Sequence, residues 1–380
     1  MTPKNGSGHA NRNLQVDILR GLAILGVVAV HSVQVTNELI SGKLSERLTY
    51  TLSLGKYGVE LFFCISGFLL FSIYGLQTTS LPKSYLRRRA ARILPLWIAF
   101  LVIGMARSAF FGNGGFNESL KDFNLFIVLF TTLTFTGFIS PILWNGVIPG
   151  SWSIQAEVMH YLLFPVARTP KFRNIFRFLI IANLATIGFV YTRPLYVSFP
   201  GFFLNVLDAW VRLGLYSTLG FFLVGFLAYL QIRHKRDQPG AFTETLFEYF
   251  NLSHKSLLLY AITFLFLPCP FGSQIEAIGF ILFSYFLSIC ILNGQRLSRC
   301  FQIIGKYSYF IYFAHHLVLE MLQQLIGKGF LISNSALTQP IAFLVIFIIA
   351  IGLSLLLGVP SYKYFEYPII RMSHKNHPSS

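Results

Sequence analysis

The chain has 380 residues, 54% of them hydrophobic and 12% charged, with 30 Lys and Arg against 14 Asp and Glu for a formal charge of +16. That balance excludes an ordinary water-soluble domain and describes a membrane protein. It also argues against nucleic acid as a partner, because the basic residues cluster in short loops between apolar spans, not on a basic face interleaved with aromatics.

In chain order, residues 1–13 form a polar leader, expected to be disordered and cytoplasmic. The first apolar span follows it without a small-residue cleavage site and reads as a retained signal anchor. Apolar spans then fall at 18–36, 57–76, 93–111, 121–143, 152–167, 175–193, 210–231, 256–272, 274–292, 302–327 and 340–362, most of them about the 20 residues a bilayer needs. Arg87, Arg88, Arg89 and Arg92, then Arg168 to Arg177, Arg233 to Arg236, Arg296 to Lys306 and Lys363 to Lys375 mark the cytoplasmic side. Both termini therefore read as cytoplasmic. An even number of crossings follows, so one segment between 93 and 167 is expected to be re-entrant. The predicted fold is an all-α polytopic bundle of about 10 transmembrane helices. Its membrane domain covers 14–370, followed by a cytoplasmic tail at 371–380. The cysteines, Cys64, Cys269, Cys290 and Cys300, lie in or beside apolar spans without CxxC or Cys/His spacing, so neither a disulfide framework nor a zinc site is indicated.

Polar residues inside apolar spans carry the chemical signal, because ionisable groups in a bilayer are costly and face a cavity or a partner. In the first span Asp17, Arg20 and His31 stand out. Arg20 and His31 lie roughly 16 Å apart along a helix and within about 20° of each other around it, so they share a face. The pair reads either as two parts of one pathway or as a snorkelling Arg with a hydrogen-bonded core His.

Glu60 sits just inside the second span, where an acid needs a cation or a proton, and Ser66-Gly67 lies near its middle as a close-packing element. Arg89 and Arg92, three apart, share a face and form a fork suited to phosphate. They serve equally as a positive-inside signal. Trp152, Ser153 and Glu157 open a helix after Pro149-Gly150, with Ser153 as the candidate N-cap. Glu157, on Ser153's face, could orient an imidazole, bind a sugar hydroxyl or pair with a nearby Arg. His315 and His316 are neighbours and should point to different faces, so at most one is expected at any site; with only Glu320 as an acid in that span, no metal site is predicted. Glu366 and Pro368 close the last span, the proline as a helix stop.

Taken together, these stretches resemble the acyltransferase 3 family of integral membrane O-acyltransferases, which includes enzymes that acetylate bacterial surface polysaccharides. The resemblance rests on Asp17, Arg20 and His31; Phe62, Phe63, Ser66 and Gly67; Arg89, Arg92 and Pro95; Trp152, Ser153 and Glu157; Ser308, Tyr309, Tyr312 and His315; and Glu366 with Pro368. His160 departs from the aromatic usual at its position. The extracytoplasmic hydrolase-like domain of some members has no counterpart in this sequence, which favours a self-sufficient enzyme or one that hands its acyl group to a separate protein.

The resemblance implies transfer of an acyl group, usually acetyl, from cytoplasmic acetyl-CoA as co-substrate to a hydroxyl of a lipid-linked saccharide or other glycan such as lipopolysaccharide, in the bacterial inner membrane. Arg20, Arg89 and Arg92 would hold the donor's phosphates, and His31 would act as general base or carry the acyl group. Glu157 and His315 would complete the catalytic group, with Asp17, Glu60, Ser66, Trp152, Ser153 and Glu366 in support. A rival reading of the same residues is a transporter or flippase, with His and Glu relaying protons and Arg gating an anion.

Overall fold

The structure is a computed structural model. It describes residues 14–39, 44–74, 82, 84–111, 124–137, 143, 147–167, 218, 222, 225, 229, 299–326 and 338–375. Among these residues every regular element is helical and no strand occurs. The predicted spans at 175–193, 256–272 and 274–292, and all but four residues of 210–231, lie outside the described residues.

The helices are α1 (Leu14–Leu39), α2 (Glu46–Ser53), α3 (Gly58–Tyr74), α4 (Ser84–Phe111), α5 (Leu125–Leu133), α6 (Ser151–Ala167), α7 (Arg299–Lys306), α8 (Ser308–Ile326), α9 (Thr338–Ser361) and α10 (Tyr367–Lys375). A 3₁₀ turn, Leu54–Tyr57, joins α2 to α3, and a π-turn, Tyr362–Glu366, joins α9 to α10. Among the described residues four helical runs, Val16–Leu39, Glu46–Tyr74, Ser84–Ala109 and Gln339–Ser373, are long and apolar enough to cross a membrane. Their outer faces carry the expected surface for lipid: Val102 is 60% exposed and Leu356 69%.

Helix α1 is the structural centre. Small residues let its neighbours approach to backbone contact, as membrane helices do when no hydrophobic drive separates protein from lipid. A Cβ on Gly305 of α7 would overlap the Asp17 carbonyl, and one on Gly21 would overlap the Phe301 carbonyl. A Cβ on Gly58 of α3 would likewise overlap the Ala23 carbonyl. The apolar stripe of α1 on another side, Ile24, Val27 and Val28, packs into a core with Phe71, Trp97 and Phe313.

Two local features differ from the sequence reading. Among the described residues of 121–143 the helical element is the nine-residue α5, about 14 Å long at 1.5 Å per residue and by itself shorter than a crossing. Asn124 caps it, accepting from the Ile127 N–H at 2.9 Å. The chain then leaves the helix at Phe135, with φ of 59°. Buried Trp97 receives that turn: its indole N–H donates to the Thr132 carbonyl at 3.2 Å, and its ring lies 4.6 Å from that of Phe135. The second difference is Pro368, predicted as a helix stop. It falls instead at the second residue of α10, directly after the π-turn Tyr362–Glu366, and the helical run continues through it. Arg87 of α4 holds the continued helix, donating to the Ser373 carbonyl at 3.1 Å.

Candidate active site

Five separated stretches of chain converge on one cleft. Arg20 of α1, Ser66 of α3, Arg92 of α4, Ser153, Glu157 and Tyr161 of α6, and Ser308, Tyr309 and Tyr312 of α8 line it, with Phe62 and Phe63 as apolar wall. Its empty volume is about 580 Å³, mouth included. Asp17, itself buried, lies 3.6 Å from the Arg20 guanidinium one turn away. Glu157 Oε1 accepts from Ser66 Oγ at 2.7 Å and from Tyr161 Oη at 2.5 Å. A half-buried carboxylate held by two hydroxyls shares the cleft with two arginines, one of them paired with Asp17, and the two guanidinium groups offer bidentate donors to an anionic ligand.

Arg89, expected beside Arg92 on the same task, takes another place. Its guanidinium lies over the rings of Tyr74, Tyr85 and Tyr161, at 5.9, 5.9 and 5.4 Å, an aromatic cage that fixes the base of the cleft. Trp152 packs edge-on against Phe63 at 6.5 Å. Ser153 is not the N-cap, since α6 begins at Ser151. Its Oγ donates to the Gly150 carbonyl at 3.3 Å and lies 2.5 Å from Tyr312 Oη. Tyr312 also donates to the Gly150 carbonyl, at 3.0 Å. Gly150 has φ of 74°, a left-handed conformation that suits glycine at this turn. Together these bonds tie the turn before α6 to α8.

His31 does not line that cleft. It meets both histidines of α8, with ring centroids 5.3 Å from His315 and 4.2 Å from His316. The expectation that adjacent histidines cannot serve one site is corrected here: their side chains diverge by about 100° around α8, but His31 approaches between them from α1. The group that holds His31 Nδ1 is Gln34, whose Oε1 accepts at 3.0 Å, while the described hydrogen bonds of Glu157 are to Ser66 and Tyr161. His315 is fully buried; its Nδ1 donates to the Ile311 carbonyl at 2.9 Å and its ring lies 5.9 Å from that of Tyr312. Tyr312 is thus the side chain shared by the cleft and the imidazole cluster. Arg107 of α4 and Glu320 of α8 form an ion pair near the same end of α8.

The remaining expected residues stand apart. Glu60 occupies the first turn of α3, a favourable place for an acid, and its Oε2 has no hydrogen-bond partner among the described residues. Glu366 is buried in the π-turn, where Ser361 Oγ donates to it at 3.3 Å. His160 stacks edge-on with Phe63 at 5.3 Å, with Nε2 lying 3.2 Å from Thr218 Oγ1.

Sequence reasoning missed Gln34, Tyr161 and Arg107, and set His316 aside. The first two carried a signal: Gln34 follows His31 by three residues and Tyr161 follows Glu157 by four, the spacings at which helical side chains meet.

A helical membrane protein whose arginine-bearing cleft connects, through one tyrosine, with one buried and two half-buried imidazoles is equipped to hold an anionic group and to move a proton or a group beside it. A family model described as an acyltransferase domain matches residues 13–359, and the chain belongs to this family, acyltransferase 3. It is also similar to the exopolysaccharide production protein ExoZ of Rhizobium meliloti (strain 1021), with 27% identity over 169 residues, 41% of this chain. The match spans 51% of that relative, about half its length. No solved structure matches the chain.

Proposed function

We propose that the protein moves an acyl group, acetyl in the first instance, from a cytoplasmic acyl-CoA to a hydroxyl of a cell-surface or lipid-linked glycan. In this reading the bundle has about 10 crossings with both termini cytoplasmic. The membership in an acyltransferase family supports the reaction type, and the name of the relative supports a polysaccharide acceptor. The observation that carries the donor reading is the convergence of Arg20 and Arg92 from different helices in one cleft. Paired guanidinium groups match the phosphates of a nucleotide-bearing donor.

His31 acts as general base. Its Nδ1 is engaged by Gln34, so in the neutral ring with Nδ1–H the Nε2 lone pair takes the proton of the acceptor hydroxyl. The hydroxyl oxygen attacks the thioester carbonyl, the carbon–sulfur bond breaks, and the departing thiolate recovers the proton from His31. His315 holds the ring next to it. Glu157 and Ser66 shape the donor cleft, with Tyr312 and Ser153 at its inner edge.

The test is transfer of radiolabelled acetyl from acetyl-CoA into envelope glycan, in membranes carrying equal amounts of the wild type or His31→Ala. The expected result is transfer by the wild type and a loss of about 100-fold or more in the variant, the scale of a missing general base. Transfer undiminished in His31→Ala refutes the role of His31. Its absence in folded wild type refutes the donor assignment.

A further inference from the structure

We propose that His31, His315 and His316 form a binding site for a divalent transition-metal ion of the zinc class, outside the arginine-bearing cleft, and that its occupation stops acyl transfer by engaging the lone pair of His31. The inhibitory half rests on the reading of His31 as base; the binding half does not.

One ring nitrogen from each histidine lies within 4.8 Å of the other two. Three imidazoles around a tetrahedral zinc, with bonds near 2.0–2.1 Å, place their nitrogens about 3.3 Å apart. Each ring therefore has to move no more than about 0.8 Å toward a common centre. That adjustment is within reach of side chains brought together from two helices.

The hydrogen bonding prepares these rings as ligands. A backbone carbonyl can only accept, so the bond to Ile311 fixes the His315 proton on Nδ1 and leaves Nε2 with a lone pair. That Nε2 is buried and has no hydrogen-bond partner among the described residues, an arrangement that costs free energy unless something occupies it. Gln34 Oε1 serves His31 Nδ1 in the same way. A carbonyl on the far nitrogen is the usual outer-shell support of a metal-bound histidine, setting both tautomer and ring orientation.

The donor set selects the metal. Neutral imidazoles without carboxylates suit zinc, copper or nickel and not magnesium or calcium. Three histidines also leave one coordination position open for water. The nearby guanidinium of Arg107 is paired with Glu320, so it does not set an uncompensated charge against the ion. His31 and His316 are only partly buried, which leaves a side of the cluster through which an ion can arrive.

The experiment uses purified full-length protein in detergent, dialysed against zinc chloride and analysed for bound metal, with His316→Ala as the separating variant. The wild type should bind one zinc per chain; changes in outer-shell partners cost 10- to 100-fold in affinity, so loss of a ligand should cost about 100-fold or more. Zinc should inhibit acetyl transfer by the wild type, reversibly with chelator, while the transfer that His316→Ala retains, measured against its own zinc-free rate, should resist zinc. Equal zinc binding by wild type and His316→Ala overturns the site, as does no binding by the wild type. Zinc bound at the site with transfer unchanged or raised overturns the inhibitory half. If the wild type transfers no acetyl at all, the functional reading fails, while the binding comparison still decides the site. Thermal unfolding in chelator shows that the variant is folded, and added zinc should raise the midpoint of the wild type alone.

Discussion

The backbone seam between α1 and α7 makes the position of Arg20 sensitive to a single methyl group. In Gly305→Ala the new Cβ would overlap the Asp17 carbonyl oxygen, and would lie 2.6 Å from the carbonyl carbon and 2.9 Å from Gly21 N, where ordinary contact begins at 3.4 Å. The 2.6 Å contact alone requires the two helices to part by about 0.8 Å. No flexible side chain can absorb this, because every atom met is backbone. Overpacking of this kind costs about 1–3 kcal/mol. Asp17 and Gly21 flank Arg20, so the displacement reaches the guanidinium directly, and misplacement by about 1 Å can cost 100-fold in rate. The control is Gly352→Ala in α9, where a Cβ meets nothing within 4 Å and helix propensity should add about 0.5–1 kcal/mol. Thermal unfolding in detergent and acetyl-transfer rates should diverge: Gly305→Ala lowers both, and Gly352→Ala leaves the rate unchanged with an equal or higher midpoint. A Gly305→Ala protein as stable and active as Gly352→Ala would refute the close approach on which the placement of Arg20 depends.

Ser66→Ala removes one of the two hydroxyls on Glu157. A hydrogen bond to a charged group contributes about 1.5–3 kcal/mol to stability, so the midpoint of unfolding should fall, and the less firmly held carboxylate should raise the Michaelis constant for the acyl donor, read in a donor titration at fixed acceptor. Trp97→Phe removes the indole that binds the Thr132 carbonyl and leaves a gap in the core. It should destabilise by about 1–3 kcal/mol, measured as a lower unfolding midpoint, and an unchanged midpoint would show that the turn after α5 does not depend on it.

How far the sequence could be read depended on whether the signal was local. The spacing of Arg20 and His31 is a property of one helix, and α1 carries both as expected. Ser66 and Glu157 are 91 residues apart, and no spacing rule connects them; their bond is visible only once α3 and α6 pack. Arg89 and Arg92 show the limit of a shared face: i and i+3 positions are neighbours, yet Arg89 is drawn to three tyrosines contributed by α3, α4 and α6. His316 was dismissed by sound helical geometry applied to α8 alone, which takes no account of a third ring entering from α1. Pro368 reads as a stop because proline disrupts a helix interior, but the helical run continues through it directly after the π-turn.

The glycine seams of α1 also make it a ruler. Backbone in contact with backbone leaves no slack for the helix to slide or turn against α7 and α3, so the distance from Arg20 to His31 is set by helical rise alone, about 16 Å over eleven residues. A donor gripped by its anionic end at Arg20 and reacting beside His31 has to bridge that length. Compact acyl phosphates are too short to do both. With Arg20 as anchor and His31 as base, as proposed, the fold would select donors that carry their acyl group on a long arm, discriminating by reach before any contact with the acyl group itself.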